Sequence, residues 1–160
     1  MSLGSVQEYL KGTELEEKII VLKESSATVA LAAAALHTQE DRIAKTLSFL
    51  VGDEPILIVV SGQSKVDNKK YKAKFATKAK MIPFEQVEEL VGHAPGGVCP
   101  FADKEGVKVY LDESLKKYEI VYPAAGSDNS AIEITIPQLE QYSGFLEWVD
   151  VCKEMEEEMK

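Results

Sequence analysis

The sequence predicts an α/β or α+β domain in which a mixed β-sheet, curled into a barrel, is surrounded by helices. Three observations support this. Short β-branched runs recur along the chain, segments with helical spacing and capping signals lie between them, and no repeat, low-complexity block or linker divides the 160 residues. About seven strands interleaved with four to six helices form the pattern of layered α/β architectures. The expected organisation is one domain over 1–160, with a core from about 6 to 149 and an acidic tail over 150–160.

Taken in order, Val6, Tyr9 and Leu10 have helical spacing, and Ile19 to Leu22 is a β-branched run of strand length. The alanine-rich stretch from Ser26 to Leu36 reads as a helix capped by Ser25 or Ser26. Thr38 or Gln39 is expected to open a second short helix ending near Ala44 or Lys45. Thr46 to Val51 and Pro55 to Ser61 then form two strands joined at Gly52-Asp53-Glu54. This reading puts Lys45 at a helix-to-strand junction. Asp67 caps a lysine-rich helix reaching Phe75 or Ala76, Lys80 to Ile82 adds a short strand, and Pro83 starts a helix through Val91. Gly92 to Gly97, with Pro95 inside it, cannot continue a helix and must be a loop. Val107 to Leu111, Glu119 to Pro123 and Ala131 to Ile136 read as strands, Pro137 to Tyr142 as a last helix and Phe145 to Val149 as a last strand.

Composition narrows the function classes. With 45% hydrophobic and 28% charged residues the chain is an ordinary globular one. Two cysteines, Cys99 and Cys152, are too few for a disulfide framework and lack zinc-finger spacing, so a reducing, cytoplasmic setting is expected. Nothing in the sequence suggests a leader or a membrane span. The net charge of -9 argues against a protein that coats DNA or other nucleic acid through bulk electrostatics. The charge is nonetheless uneven. Lys65 to Lys80 holds seven lysines and one acid, Asp67, while Glu154 to Glu158 is acidic. The lysine-rich stretch is either a solvated helix face or the place where a phosphate partner docks.

Lys45 and the Gly96-Gly97 loop are the two halves of a candidate anion-handling site. A cation at an element's edge favours negative charge, and glycines allow φ > 0 and close approach of bare N–H groups, with Pro95 and Pro100 stiffening the flanks. A surface lysine and an ordinary turn are the bland alternatives. Cys99 with His93 suggests a thiol nucleophile only if a third group orients them in space, and His37 would have to join them for a metal site. The polar loop Gly126-Ser127-Asp128-Asn129-Ser130 offers hydroxyl, carboxylate and amide groups, or is a simple hairpin turn. Phosphate-loop, dinucleotide, lipase-like and zinc-protease motifs do not occur.

The ordered set Ile43-Ala44-Lys45-Thr46-Leu47, Val60-Ser61-Gly62, Val66 to Lys70, Gly92 to Pro100 and Ala124 to Ser127 resembles the YbaK family. These aminoacyl-tRNA deacylases are related to the editing domain inserted in bacterial prolyl-tRNA synthetases. The resemblance runs from about Val6 to Val149.

It implies a mixed sheet closed into a barrel, no metal or organic cofactor, and hydrolysis of the ester joining an incorrect amino acid to the 3′-terminal adenosine of a tRNA. The essential family lysine falls on Lys45, and the family's G-x-x-x-P loop falls on Gly96 to Pro100, whose backbone positions carbonyl, ribose or water. Gly126, Ser127, Asp128 and Asn129 are expected to line the amino-acid pocket, and Asn129 stands where many relatives have a histidine. Lys65, Lys69 and Lys70 become candidates for the tRNA backbone. An aminoacyl-tRNA acceptor end is the implied partner, with an aminoacyl-tRNA synthetase as a further one. The competing readings are a catalytically silent tRNA- or synthetase-binding module, motivated by Asn129 and the acidity, and an enzyme for a small non-tRNA ester or amide.

Overall fold

A hairpin of two long strands is the frame on which the rest of the molecule hangs. The computed structural model describes residues 3–154. β2 (Ile43–Val51) and β3 (Glu54–Ser61) pair antiparallel from Ala44↔Ser61 to Val51↔Glu54, leaving a two-residue turn at Gly52-Asp53. β3 is apolar on both sides because it separates two cores. Leu57 and Val59 face the main core, while Ile56, Ile58 and Val60 face a second one with Phe49 and Tyr71.

β5 (Lys108–Asp112) lies parallel to β3, and β9 (Glu147–Val149) parallel to β5. On the other side β6 (Ile120–Pro123) runs parallel to β2, and β8 (Ile134–Thr135) antiparallel to β6. The six form one mixed sheet of order β8-β6-β2-β3-β5-β9, curled into half a barrel. Two small ladders complete it: β1 (Ile19–Val21) with β7 (Ser130–Ile132), and β4 (Ser64–Val66) with β10 (Cys152–Glu154).

Among the described residues, five α-helices surround the sheet: α1 (Leu3–Leu10), α2 (Val29–Leu36), α3 (Asn68–Phe75), α4 (Val87–Val91) and α5 (Ile136–Ser143). The Asp67 side chain caps α3 by accepting the Lys69 and Lys70 N–H groups, as its sequence predicts. Thr135 and Gln138 make a capping box on α5, and Pro137 sits in its first turn.

Several expectations are corrected. α2 starts at Val29 with Thr28 as its cap, because Ser26 is drawn away to the Asp128 carbonyl. The helix expected to open at Thr38 or Gln39 and end near Ala44 or Lys45 is a single 3₁₀ turn, Glu40–Arg42, that leads directly into β2 at Ile43. The buried Asp41 carboxylate fixes that turn by accepting the Gln63 N–H, and pairing with β3 overrides the short-range helical signal. Lys45 is therefore a strand residue. The segment from Lys80 to Ile82 contributes only a bridge, Met81 to Phe49, and the helix expected from Pro83 is a 3₁₀ turn, Phe84–Gln86, followed by the short α4.

The expected acidic tail begins as structure. Val151 and Cys152 are buried in the second core and carry β10, and the remainder of the tail, 155–160, lies outside the described residues. No helix among the described residues is long and apolar enough to cross a membrane.

Candidate active site

The site is built on a gap in the sheet. β2 pairs with β6 only at Ile43↔Tyr122 and Ala44↔Pro123, and its edge is covered again where the Ile82 N–H donates to the Ser48 carbonyl at 3.1 Å. Between these points, among the described residues, Lys45 to Leu47 have no strand partner on that edge. Backbone direction alternates along a strand, so Thr46 shares the outward orientation of Ser48 and presents its N–H and C=O to the gap. A cavity of about 380 Å³ opens there.

Lys45 and Gly96 line this same cavity, together with Thr46, Ser48 and Ser130. Lys45 is half-buried, and its ammonium makes no ion pair or hydrogen bond among the described residues. Burial holds its ammonium below the usual lysine range, with Cys152 and Asp41 acting weakly the other way. The Asp41 carboxylate itself is held by Lys117 at 2.7 Å and by the Tyr118 hydroxyl at 3.0 Å, so it biases Lys45 without neutralising it. The Thr46 hydroxyl is buried and has no hydrogen-bond partner among the described residues. It is a polar group in the cavity wall that the sequence marked only as a strand former.

Gly96 and Gly97 are needed for reasons other than the one expected. Neither has a positive φ. What they permit is contact: a Cβ on Gly97 would lie 2.5 Å from the Gly126 carbonyl carbon, and one on Gly96 would lie 2.9 Å from the Asp128 Cβ. The two loops foreseen separately are thus pressed together. Gly126 itself carries φ 98°, a conformation suited to glycine. The Gly97 N–H donates to the Ala94 carbonyl at 2.9 Å and is not available to a ligand, whereas the exposed Gly96 N–H makes no hydrogen bond among the described residues. Pro100 is buried beneath the loop and does not line the cavity.

The Gly126 loop braces the site more than it lines it. The Ser127 hydroxyl donates to Asn129 Oδ1 at 2.8 Å, and Asn129 Nδ2 donates to the Leu22 carbonyl at 3.1 Å, so both amide groups of Asn129 are engaged. Asp128 supports Gly96 and, through its carbonyl, holds the Ser26 N–H at 2.6 Å. Ser130 and Ala131, just beyond this loop, reach the cavity instead.

The lysine-rich segment lies away from the cavity lining. Lys70 pairs with Asp150 at 3.0 Å and donates to the Cys152 carbonyl, and Lys74 pairs with Glu147 at 2.7 Å, while Lys65 and Lys69 are exposed. Cys99 and His93 do meet: Cys99 Sγ is 3.7 Å from His93 Nε2, which is 3.3 Å from Asp103 Oδ1 and 2.7 Å from the Phe101 carbonyl. Both residues are fully buried and burial pushes the Cys99 thiol up, so the cluster is sealed from substrate. His37 ends α2 in a left-handed conformation, and among the described residues no group of three or more His, Cys, Asp or Glu could hold a metal.

Around one small cleft stand the Lys45 ammonium, the Gly96 N–H and the Thr46 hydroxyl, none with a hydrogen-bond partner among the described residues. The chain belongs to the aminoacyl-tRNA editing domain family, whose model matches residues 23–142. It is 46% identical over 157 residues to YwhH of Bacillus subtilis (strain 168), a protein of uncharacterised function, covering 98% of this chain and all of that one. It is also 32% identical over 89 residues to the proline–tRNA ligase of Staphylococcus aureus (strain Newman), covering 55% of this chain and 16% of the ligase. Among solved structures it is similar to a protein proposed as a trans-editing enzyme for prolyl tRNA synthetase, with TM-score 0.84, 28% identity and coverage of 94% of this chain and 96% of that one. The hypothetical protein APE2540 gives TM-score 0.82 at 26% identity, covering 93% and 99%. These likenesses support an editing role in translation.

Proposed function

We propose that the protein is a freestanding trans-editing deacylase that cleaves the ester between an incorrect amino acid and the 3′-terminal adenosine of a tRNA. The observation that carries this reading is the meeting of Lys45 and Gly96 in one cleft at the open edge of β2. Water adds to the ester carbonyl, the C–O bond to the ribose breaks, and the products are a free amino acid and a tRNA with its hydroxyl restored. The charge that develops on the carbonyl oxygen is met by the Lys45 ammonium and the Gly96 N–H. Each such donor contributes on the order of 10²–10³ in rate.

Gly97 is the spacer that lets the two loops touch, and Pro100 anchors the loop's base. Gly126, Ser127, Asp128 and Asn129 fix the loop behind the amino-acid pocket, whose near wall includes Ser130 and Ala131. Thr46, through its hydroxyl and edge backbone groups, orients the ribose or the attacking water. No side-chain nucleophile is invoked, and Asn129, engaged on both sides, moves no proton. The acceptor stem approaches along the lysines, of which Lys65 and Lys69 are exposed and Lys70 is shared with Asp150.

The test is a panel of alanyl-, cysteinyl-, seryl- and threonyl-tRNAs, cognate and mischarged, incubated with the wild type and with Lys45→Ala. The expected result is cleavage of at least one mischarged species by the wild type and loss of most of it in a still-folded variant. Saturable tRNA binding with no cleavage of any species would identify a binding module instead.

A further inference from the structure

We propose that Phe84 and Met81 form the platform on which the 3′-terminal nucleobase of the charged tRNA stacks, an inference that rests on the deacylase reading for the identity of its ligand. Phe84 is 75% exposed and Met81 56% exposed, and both line the cavity shared by Lys45 and Gly96. Isolated exposed apolar residues are common, but two large ones standing together at the mouth of a functional cleft call for an occupant.

The backbone beneath them is fixed. The Leu50 N–H donates to the Lys80 carbonyl at 2.8 Å, the Ile82 N–H to Ser48, and the Gln86 N–H to the Pro83 carbonyl at 2.8 Å. Ile82 and Val87 are buried in the main core. The segment thus turns two apolar side chains inward and leaves two outward on a rigid support.

Charge selects the occupant. Lys78 and Lys80, both exposed, precede Met81 with no acid between them and Phe84, and Glu85 follows. An aromatic ring and a polarisable thioether match the π-face of a base, and the adjacent ammonium groups match its phosphates. A second copy of this chain would bring the same lysines against themselves.

The probes are the trinucleotide CCA, the same trinucleotide with an abasic 3′-terminal ribose, and a charged tRNA that the wild type cleaves. Phe84→Ala is expected to weaken CCA binding and raise KM by about tenfold, the scale of one base–aromatic stack, with kcat unchanged. Phe84→Tyr should restore both, and the abasic trinucleotide should bind wild type and Phe84→Ala alike. Equal CCA affinity in wild type and Phe84→Ala overturns the inference, as does a wild-type dimer in sedimentation that Phe84→Ala dissolves. Phe84-dependent CCA binding with no cleavage of any charged tRNA would sink the deacylase reading and leave the base platform standing. Cleavage indifferent to Phe84 would do the reverse.

Discussion

Gly97 lies so close to Gly126 that a Cβ on it would sit 2.5 Å from the Gly126 carbonyl carbon and 2.6 Å from its oxygen. Neither loop holds its position alone; each is the floor of the other. Because backbone cannot swing aside as a side-chain end can, Gly97→Ala must separate the loops and carry Gly96 away from Lys45. The expected outcome is a loss of about 1–3 kcal/mol in urea unfolding and a larger proportional loss of deacylation. Gly96→Ala comes too close only to the Asp128 Cβ, at 2.9 Å, with the Ala27 Cβ at an ordinary 3.5 Å, so Asp128→Gly added to it should recover activity. A Gly97→Ala variant with wild-type turnover would show that the contact does not matter.

The environment of Lys45 sets a pH dependence. Burial favours the neutral amine, so its folded pKa is below the ordinary lysine value and the ammonium is lost earlier as pH rises. After subtraction of spontaneous hydrolysis, kcat/KM should fall on the alkaline side at a pH below the usual lysine range. Lys45→Arg keeps its charge throughout and should lack that limb, although the different shape lowers the plateau. If the limb is the same in both proteins, Lys45 is not the group that titrates.

Much of this was legible in the sequence, and the illegible parts share a cause. The apolar run of β3, the Asp67 cap and the helix beginning with Pro137 in its first turn are local signals read within a few residues, whereas Thr135 and Ile136, which read as strand, turn out to cap and open that helix. The residues before Lys45 suit a helix, yet pairing with β6 and β3 draws Ile43 and Ala44 into the strand. β4 and β10 are three residues each and exist only because each supplies the other's hydrogen bonds across the length of the chain. The contact of Gly97 with Gly126, the vacant edge at Thr46 and the rotation of Asn129 away from the cleft are tertiary facts with no local signature.

Thr46 offers a test that separates function from folding. Its buried hydroxyl has no partner among the described residues, so Thr46→Val removes no protein hydrogen bond and should leave stability unchanged or raised. If the hydroxyl serves the substrate, kcat/KM should fall roughly tenfold, the equivalent of about 1.4 kcal/mol for one hydrogen bond. A fall in stability with unchanged kcat/KM would assign Thr46 to the fold alone.

The two thiols should be silent. Cys99 is fully buried and Cys152 nearly so, and burial, with Asp112 nearby, pushes the Cys152 thiol up to about 12. Iodoacetamide at neutral pH is therefore expected to leave deacylation intact and neither cysteine alkylated in mass spectra. Rapid inactivation would revive a thiol mechanism.

His93 gives the last prediction, because it closes the neck of the loop that carries Gly96. The Lys104 N–H donates to the Val91 carbonyl, and inside that closure His93 meets Asp103, Phe101 and Cys99. Burial opposes charge on His93, but the Asp103 carboxylate, Cys99 and the Phe101 carbonyl outweigh it and push its pKa up to about 10, while burial pushes Asp103 up to about 6. A pKa raised on folding means that the native state binds the proton more tightly. The His93 contribution is therefore complete below the unfolded histidine value of about 6.5 and is lost as pH climbs toward 10. Relative to His93→Gln, the wild type should lose about 1.4 kcal/mol of stability per pH unit within that window. Denaturant melts of both proteins at several pH values measure it, and parallel pH profiles would show that His93 is not charged in the fold.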